Sequence, residues 1–438
     1  NRNVNAASQP ASSPRYDTNG PVARNQRLAS FSPVSDAMLT DPPEGSWLHW
    51  RRTTNAWGHS PLRQVHRDNI ASLQLAWSWA LPSGANMMAP IVHDGILFTY
   101  SFGDVVQALD AATGELLWGW QKELEPGREP DSKKGLAIYQ EKLIVPTSDM
   151  HLIALDARTG RQIWDHAVEL DSEDGHWFKS APLIANGKAI IGLTGRQAVE
   201  GGNFILAVDL DSGEEVWRFW TIARPGEPGG DTWNDLPLEL RTGGSVWVPG
   251  SFDPELNLVY FGPAPTYDTE RLRPRTGEER RKSDALFTNA TIALDADTGK
   301  LVWFYQHAAN DQLDHDWAFE RQIIELAVEG ERRKAVITGG KLAIFEAMDA
   351  ATGDYLWSFD LGMQNVVAEI DPRSGRKTLY PEAIPALEAQ LTQFSLPGIC
   401  PDWLGARNMQ TAAIDPATQR LFIPLSDTCL DDLTGQRW

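Results

Sequence analysis

One short pattern recurs along this 438-residue chain and constrains its fold more than any other feature. Each copy reads Ala-x-Asp-x-x-Thr/Ser-Gly-x-x-x-Trp, as in ALDAATGELLW and ALDADTGKLVW. The five copies end at Trp118, Trp164, Trp217, Trp303 and Trp357, and a degenerate copy, AIDPATQRLFI, begins at Ala413. Their uneven spacing is mostly near the size of one propeller blade, so the chain is predicted to be built from repeated units.

Each copy is typical of two strands joined by a tight turn. The apolar stretch before the aspartate alternates as a strand does. Asp110, Asp156 and their equivalents can accept hydrogen bonds from backbone amides two residues on, and the glycine supplies a positive φ. The tryptophan is a large flat group that suits packing between sheets. A helical interpretation fails because Gly and Asp would interrupt each helix near its middle, so these aspartates are predicted to be structural.

These features predict an all-β protein, a β-propeller of four-stranded blades around a central axis. Residues 73–81, LQLAWSWAL, are predicted to form a strand that completes the last blade, and five full blades and half of a sixth follow them. Residues 1–35 are predicted to be a flexible N-terminal arm, and residues 36–438 an incomplete propeller ring. Because blade loops gather at one mouth of the axis, the functional site is expected there.

Charge and composition exclude several classes of function. The chain has 39 Lys and Arg against 59 Asp and Glu, a formal charge of −20. Such a surface repels nucleic acid and anionic membranes and suits a small or basic partner. No apolar run is long enough for a membrane helix. The first residues are polar and lack an initiating Met, which is typical of a processed chain and compatible with export.

The two cysteines, Cys400 and Cys429, lie outside any Cys-x-x-Cys or Cys-x-x-Cys-His pattern. Covalent haem and a cysteine zinc site within this chain are therefore excluded. On the residues themselves, a disulfide and two unrelated buried thiols are both open.

An acidic stretch, NDQLDHDWAFE, places three aspartates within six positions, beside apolar and aromatic residues. These are Asp311, Asp314 and Asp316. Either the three carboxylates form a solvated loop or they hold something positive, and the residues around them decide between the two.

The repeat is similar to the tryptophan-docking motif of the quinoprotein alcohol dehydrogenases, and the segments between its copies make the match specific. The resemblance runs from about residue 40 to the end and begins with GSWLHWRRTTNAWGHSPLRQVHRDNIASLQLAWSW. Members of that family are eight-bladed propellers that use pyrroloquinoline quinone (PQQ) and a metal ion. The resemblance implies a propeller of this eight-bladed type, with its last blades missing from this chain.

The resemblance also assigns roles to single residues. GGSVWVPGSFDPELNLVYFG places Trp247 flat under the quinone ring. The acidic stretch follows the fourth blade and matches Asp314 to the base that takes the substrate hydroxyl proton. It matches Asp316 to the second carboxylate with which lanthanide-using members ligate the metal. VITGGKLAIFEAMDAATG points to Lys341 as the cation that reaches the quinone oxygens. Asp311 is left as structural.

Three further residues match cofactor contacts of the family. Lys134 stands where the family has Arg, which keeps a cation but loses the bidentate fork. Ser180 stands where a small hydroxyl contacts a cofactor carboxylate, and Asn408 matches another cofactor contact. Cys400 and Cys429 match a family disulfide of the sixth blade, which favours the bridge and a periplasmic location.

The chain departs from the family around the metal. Gln197 stands where the family has a metal-ligating Glu, and Glu200, three residues on, is a candidate substitute. Pro265 stands near the position of a ligating Asn, and Leu313 and Met409 replace expected tryptophans. The metal shell is therefore expected to be rebuilt or weak. The candidate ligands for Ca²⁺ or a lanthanide ion are Asp314, Asp316, Gln197 and Glu200.

Two functions from different classes are compatible with these residues. The first is a periplasmic, PQQ-dependent alcohol dehydrogenase that passes electrons to a separate soluble cytochrome c, because the chain has no haem motif. An acidic surface would attract a basic cytochrome, and a homodimer is compatible with this interpretation. The alternative is a non-catalytic β-propeller scaffold of the kind used in outer-membrane assembly. The enzyme interpretation requires Asp314, Lys341 and Trp247 to line one axial pocket, whereas a scaffold has no such requirement.

Overall fold

The computed structural model describes residues 26–170, 175–195, 199–266, 268–273, 282–328, 330–385 and 396–429. Within them, five antiparallel sheets of four strands follow one another along the chain. The first blade contains β1 (Ile91–His93), β2 (Ile96–Ser101), β3 (Val105–Asp110) and β4 (Leu116–Gln121). The second contains β5 (Ala137–Tyr139), β6 (Lys142–Pro146), β7 (His151–Asp156) and β8 (Gln162–Ala167). A short pair, β9 (His176–Trp177) with β12 (Thr194–Gly195), lies apart from the third blade, which contains β10 (Leu183–Ala185), β11 (Lys188–Gly192), β13 (Phe204–Asp209) and β14 (Glu215–Trp220).

The fourth and fifth blades repeat this arrangement. The fourth contains β15 (Ser251–Asp253), β16 (Leu258–Phe261), β17 (Ala290–Asp295) and β18 (Leu301–Gln306). The fifth contains β19 (Gln322–Val328), β20 (Glu331–Gly339), β21 (Ile344–Asp349) and β22 (Tyr355–Asp360). Two hairpins follow, β23 (Val367–Ile370) with β24 (Lys377–Leu379), and β25 (Ala413–Asp415) with β26 (Arg420–Phe422).

Helices are short in the described ranges. The two α-helices are α1 (Gln26–Ala29) and α2 (Asp36–Thr40). Single 3₁₀ turns occupy Ile70–Ser72, Gly230–Thr232, Leu238–Leu240, Glu270–Leu272 and Pro381–Ala383. No helix in these ranges has both the length and the apolar character that crossing a membrane requires.

From the second blade to the fifth, the first strand of each blade lies beside the first strand of the next. β5, β10, β15 and β19 contact one another in that order. The hydrophobic core fills the spaces between neighbouring sheets: one cluster spans the first three blades, a second joins the third to the fourth, and a third joins the fourth to the fifth. This is the arrangement of a β-propeller, so the predicted fold class is confirmed.

The repeated tryptophans join each blade to the next, as their pattern predicts. The indole Nε1 of Trp118 donates to the Ala157 carbonyl in the turn of the second blade, at 3.0 Å. The equivalent bonds run from Trp164 to Leu210 at 3.1 Å, from Trp217 to Ala296 at 3.2 Å and from Trp303 to Ala350 at 3.0 Å. The turns also have the predicted form: Asp110 Oδ1 accepts from the amides of Ala112 and Thr113 at 2.9 and 3.0 Å.

Residues 73–81 make the same contact without forming a strand. The Nε1 of Trp77 donates to the Ala111 carbonyl of the first blade at 3.1 Å, and its ring lies against Gly114. The segment pairs with no strand among the described residues, and Leu75 is 84% exposed. The predicted strand at residues 73–81 is therefore not present, although Trp77 contacts the first blade as the other repeat tryptophans contact the next blade.

Residues 26–35, part of the predicted arm, are packed against the first two blades. Leu28, Phe31 and Val34 are buried in the core cluster of those blades. The backbone of Val34 exchanges two hydrogen bonds with Gln140, at 2.9 and 2.7 Å. Burial of these apolar side chains fixes this part of the segment, which therefore differs from the predicted flexible arm. The other arm residues, 1–25, lie outside the described residues.

The two cysteines form a disulfide. Cys400 and Cys429 have an S–S distance of 2.00 Å and a Cα–Cα distance of 4.5 Å. The bridge joins the segment after the fifth blade to the segment that follows β26. The disulfide expected from the family resemblance is therefore confirmed.

Candidate active site

Two loops bring Asp314, Asp316 and Lys341 together. Residues 307–321 connect the fourth blade to the fifth, and residues 340–343 form the turn between β20 and β21. Lys341 Nζ donates to the Asp314 carbonyl at 2.6 Å and to Asp314 Oδ2 at 3.0 Å, and it lies 3.7 Å from Asp316 Oδ1. The Lys341 backbone amide donates to the Asp316 carbonyl at 2.9 Å. The residues predicted as base, second carboxylate and cation thus form one cluster.

Burial makes the electrostatics of this cluster strong. Lys341 is 4% and Asp316 5% exposed. Burial alone would lower the pKa of Lys341, but Asp316 and Asp314 raise it above its ordinary value. Burial raises the pKa of Asp316 well above its usual range. The Lys341 ammonium acts in the opposite direction, and the neighbouring Asp314 raises this pKa further. Asp316 Oδ1 accepts no hydrogen bond from the described residues, so this oxygen remains available to a cation.

Trp247 and Lys134 form a second cluster. Trp247 lies just before β15 and is 8% exposed. Its ring meets Phe319 edge to face, with centroids 5.4 Å apart and an interplanar angle of 86°. Lys134 Nζ lies 5.1 Å from the Trp247 ring centroid, within the range of a cation–π contact.

The ammonium group of Lys134 is costly to bury. Burial and the neighbouring Lys179 lower the pKa of Lys134 to about 8, and Glu320 opposes them. Burial also lowers the pKa of Lys179. Within the described residues, the Lys134 ammonium has the Trp247 face as its close contact, with no hydrogen bond or ion pair. Lys134 is buried against the Trp247 ring, and the half-buried Lys179 lies 4.9 Å from the Trp177 ring centroid. Two neighbouring ammonium groups beside aromatic faces favour a planar anionic ligand.

The segment 316–320 connects the two clusters. Asp316, at its start, belongs to the Lys341 cluster, and Phe319 packs on Trp247. Glu320, at its end, accepts from Arg407 Nη2 at 2.6 Å and from the Ala412 amide at 2.8 Å. The two clusters are therefore separated by a few residues of one extended segment.

Sequence reasoning missed the buried ion pair of Glu320 and Arg407. Glu320 ends the acidic stretch, and Arg407 directly precedes Asn408. They are 87 positions apart, and no periodic pattern links residues at that separation. The ion pair forms only in the folded protein, so no pattern within a short stretch of sequence could have predicted it.

Backbone hydrogen bonds of neighbouring residues connect the other predicted cofactor-binding residues to these two clusters. Ser180 is fully buried, its hydroxyl donates to the Ala181 carbonyl at 3.2 Å, and its neighbour Lys179 accepts from the Lys134 amide at 3.0 Å. Asn408 donates to the Leu404 carbonyl at 2.8 Å. Two residues before it, the Ala406 amide donates to the Lys341 carbonyl at 2.8 Å.

The predicted metal ligands are only partly brought together. Asp314 and Asp316 lie side by side, Glu200 is exposed, and Gln197 lies outside the described residues. Beyond Pro265, the Thr266 hydroxyl pairs with that of Thr242 at 2.9 Å. Among the residues that the structure describes, no group of three or more His, Cys, Asp or Glu side chains is arranged to hold a metal ion.

Comparisons with known proteins agree with this architecture. The family model of the PQQ glucose/ethanol/alcohol dehydrogenase β-propeller domain matches residues 47–364. The quinohemoprotein alcohol dehydrogenase ADH-IIG of Pseudomonas putida is 30% identical over 409 residues, covering 88% of this chain and 55% of that protein. The dehydrogenase subunit of the quinone-dependent alcohol dehydrogenase of Gluconacetobacter polyoxogenes is also 30% identical, with 88% of this chain and 54% of that protein covered.

The solved structure of the P. putida ADH-IIG enzyme is similar to this fold with a TM-score of 0.77. It is 28% identical and covers 88% of this chain and 58% of that one. This chain spans about half the length of the curated relatives it matches. The family model covers most of the chain, and the matched range contains all five blades described above. The chain belongs to the PQQ family of glucose/ethanol/alcohol dehydrogenase β-propeller domains.

Proposed function

We propose that this chain catalyses the PQQ-dependent oxidation of an alcohol to an aldehyde or ketone. The observation that carries the proposal is the Asp314 carboxylate, held at 3.0 Å by the buried ammonium of Lys341, one short segment away from Trp247 and Lys134. The relatives named above are alcohol dehydrogenases, which supports the substrate class.

The residues present fit a planar anionic quinone. Trp247 offers a flat aromatic surface, and the buried Lys134 and half-buried Lys179 have no carboxylate salt bridge within the described residues. Carboxylates of a ligand would supply the missing counter-charge. Lys341, Ser180 and Asn408 are the further cofactor-binding residues of this proposal. Bound PQQ supplies the two-electron acceptor for the hydrogen that leaves the carbinol carbon.

Asp314 is the base of the proposed reaction. An alcohol loses its hydroxyl proton as the carbon-bound hydrogen leaves with its electron pair, and a carboxylate within hydrogen-bond reach can accept that proton. Lys341 Nζ donates to Asp314 Oδ2 at 3.0 Å and holds this carboxylate in place. The Asp314 and Asp316 oxygens are the donors that the described residues offer to Ca²⁺ or a lanthanide ion. Gln197 and Glu200 are the further candidate ligands.

The location and the electron acceptor are part of the same proposal. The Cys400–Cys429 disulfide is favoured by an oxidising compartment, which supports the periplasm. A soluble cytochrome c is the electron acceptor of this proposal. The charge of −20 suits a basic cytochrome, and raising the salt concentration should slow that transfer.

PQQ binding, followed by absorbance without metal, with Ca²⁺ and with La³⁺, tests the proposal. We expect binding that requires a metal, and alcohol turnover with an artificial acceptor that Asp314→Asn abolishes. Asp295→Asn is the matched control, because Asp295 accepts from backbone amides in a turn of the fourth blade. Absence of PQQ binding under all three conditions would refute the enzyme and leave a non-catalytic scaffold.

A further inference from the structure

Asp314 has an unusual backbone conformation for a residue whose carboxylate must be placed accurately. Its φ is +58°, in the left-handed region that residues other than Gly seldom adopt. The surrounding structure must therefore hold the segment 311–317 in place, because a local strain of this kind persists only where neighbouring contacts fix it. The hydrogen bonds along the segment identify those contacts.

The backbone amides of alternate residues in this segment donate hydrogen bonds to side chains that lie on the same side of it. The Leu313 amide donates to Asp311 Oδ1 at 2.9 Å, and the His315 amide donates to Asp311 Oδ2 at 2.7 Å. The Trp317 amide donates to the side-chain oxygen of Asn289 at 3.0 Å. The Asn289 side-chain nitrogen donates to Asp311 Oδ2 at 2.9 Å, which joins the two acceptors. We name these two side chains and their four hydrogen bonds the Asp311–Asn289 clamp.

The alternate carbonyls of the same segment point to Lys341. The Asp314 carbonyl accepts from Lys341 Nζ at 2.6 Å, and the Asp316 carbonyl accepts from the Lys341 amide at 2.9 Å. The segment 311–317 is thus held on one side by the clamp and on the other by Lys341, as a central strand is held by two neighbours.

The clamp itself is anchored in the blade core. Asn289 is fully buried, immediately precedes β17, and accepts from the His307 amide at 2.8 Å through its carbonyl. Asp311 is half-buried, and burial raises its pKa although the Leu313 amide and Asn289 oppose this. Its carboxylate accepts three N–H bonds, two from the segment and one from Asn289, so its oxygens are used in holding the segment.

We propose that Asp311 and Asn289 are positioning residues that set where the Asp314 carboxylate stands relative to the bound alcohol. The inference rests on the proposed function of Asp314 as the base. A displacement of about 1 Å of a reacting group can reduce a rate about 100-fold, so loss of the clamp should act on turnover more than on binding.

Two variants test the clamp. Asp311→Asn keeps the shape of the side chain but places an NH₂ group against amide donors. Asn289→Ala removes two of the four clamp bonds and leaves Asp311 in place, so it provides the test if the first variant does not fold. Asp295→Asn is the control for loss of an aspartate that accepts two backbone amides elsewhere in the same blade.

Hydrogen exchange on the folded protein gives a readout besides activity. We expect faster amide exchange in peptides covering 312–317 for both variants, and unchanged exchange for Asp295→Asn. In the PQQ-loaded enzyme we expect kcat to fall about 10- to 100-fold, with KM and the absorbance of bound PQQ almost unchanged.

The results that would contradict the positioning role differ from those that would contradict Asp314 as the base. Unchanged exchange in 312–317, or faster exchange with kcat at the level of Asp295→Asn, overturns the positioning role. Wild-type turnover by Asp314→Asn overturns the base assigned in the proposed function, and with it the catalytic consequence of the clamp. In that case the exchange data still decide whether Asp311 and Asn289 hold the segment.

Discussion

The imidazole ring of His307 lies parallel to the indole ring of Trp317, with centroids 5.6 Å apart and an interplanar angle of 1°. His307 Nδ1 lies 2.7 Å from Glu346 Oε2, and the Lys377 ammonium lies 2.7 Å from Glu346 Oε1 and 5.1 Å from the Trp317 ring. A buried polar network therefore packs against the tryptophan that follows Asp316. It connects the fourth blade, the fifth blade and the β23–β24 hairpin beside the candidate active site.

Replacing the carboxylate of this network should cost stability in a pH-dependent way. Burial alone would raise the pKa of Glu346, but Lys377 and His307 lower it to about 2, from an ordinary value of 4.5. We expect Glu346→Gln to lower the free energy of unfolding at pH 7 by about 3 kcal/mol, the equivalent of such a shift. The depressed pKa stabilises the fold above pH 4.5, and this contribution is lost as the pH falls towards 2.

Urea denaturation at several pH values measures this effect. The difference between Glu346→Gln and the wild type should be largest at pH 7 and should shrink as the pH falls below 4.5. Glu369→Gln is the control, because Glu369 is an exposed glutamate of the neighbouring hairpin. A difference independent of pH would argue against an ionised Glu346.

Two glycines with almost the same backbone conformation separate the effect of tryptophan docking from that of backbone strain. Gly160 has φ +69°, and a Cβ there would lie 2.6 Å from the Trp118 ring. Gly187 has φ +70°, and a Cβ there would meet no atom within 4 Å. We expect Gly187→Ala to cost about 1–2 kcal/mol for the left-handed conformation. Gly160→Ala should cost about 1–3 kcal/mol more, because the Trp118 ring must move. Equal losses in chemical denaturation would show that this docking contact contributes little.

The repeat was predictable from the sequence because its determinants are local. Within each copy, the turn aspartate, the glycine and the tryptophan are close in sequence, and the tryptophan contacts the matching turn of the next copy. Trp77 follows the same rule although its segment forms no strand. The family resemblance pointed to Asp314 and Lys341, which the fold brings together from 27 positions apart.

The buried networks were not predictable in this way. Glu346 meets His307 and Lys377 across 39 and 31 positions, and no turn or period relates these residues. The packing of residues 26–35 is a similar case, because a short segment with isolated apolar residues has no period that distinguishes it from an arm. Burial in both cases depends on which surfaces the packed blades place opposite them.

Removing the cation of the candidate active site should destabilise the protein and reduce turnover. Lys341→Met would leave two carboxylates, Asp314 and Asp316, in a buried site without their ion pair. We expect the free energy of unfolding at pH 7 to fall by about 3 kcal/mol, as for other buried pairs that lose one partner. Protonation relieves the repulsion, so part of the loss should be recovered as the pH falls through the raised pKa of Asp316.

The double variant Lys341→Met/Asp316→Asn provides the control. If repulsion between buried carboxylates causes the loss, neutralising Asp316 should restore most of the stability at pH 7. Turnover should not be restored, because Asp314 would still lack its ammonium partner. A double variant that is no more stable than Lys341→Met would show that the lysine acts through packing, and not through charge.

The buried lysine over Trp247 should oppose stability in the protein without cofactor while it supports cofactor binding. Burial, with the nearby Lys179, lowers the pKa of Lys134 to about 8 from 10.5, so its charged form is penalised in the folded state. This penalty is fully present below pH 8 and is relieved as the pH rises towards 10.5. We expect Lys134→Met to raise the free energy of unfolding at pH 7 by about 1–3 kcal/mol, and by less at pH 10.

The same variant should bind PQQ at least about tenfold more weakly, because one charge-assisted contact is lost. Lys300→Met, at an exposed turn position, should change neither quantity. Lower stability of Lys134→Met at pH 7 would mean that the ammonium is already compensated within the protein, and an anionic ligand would then no longer be needed to explain it.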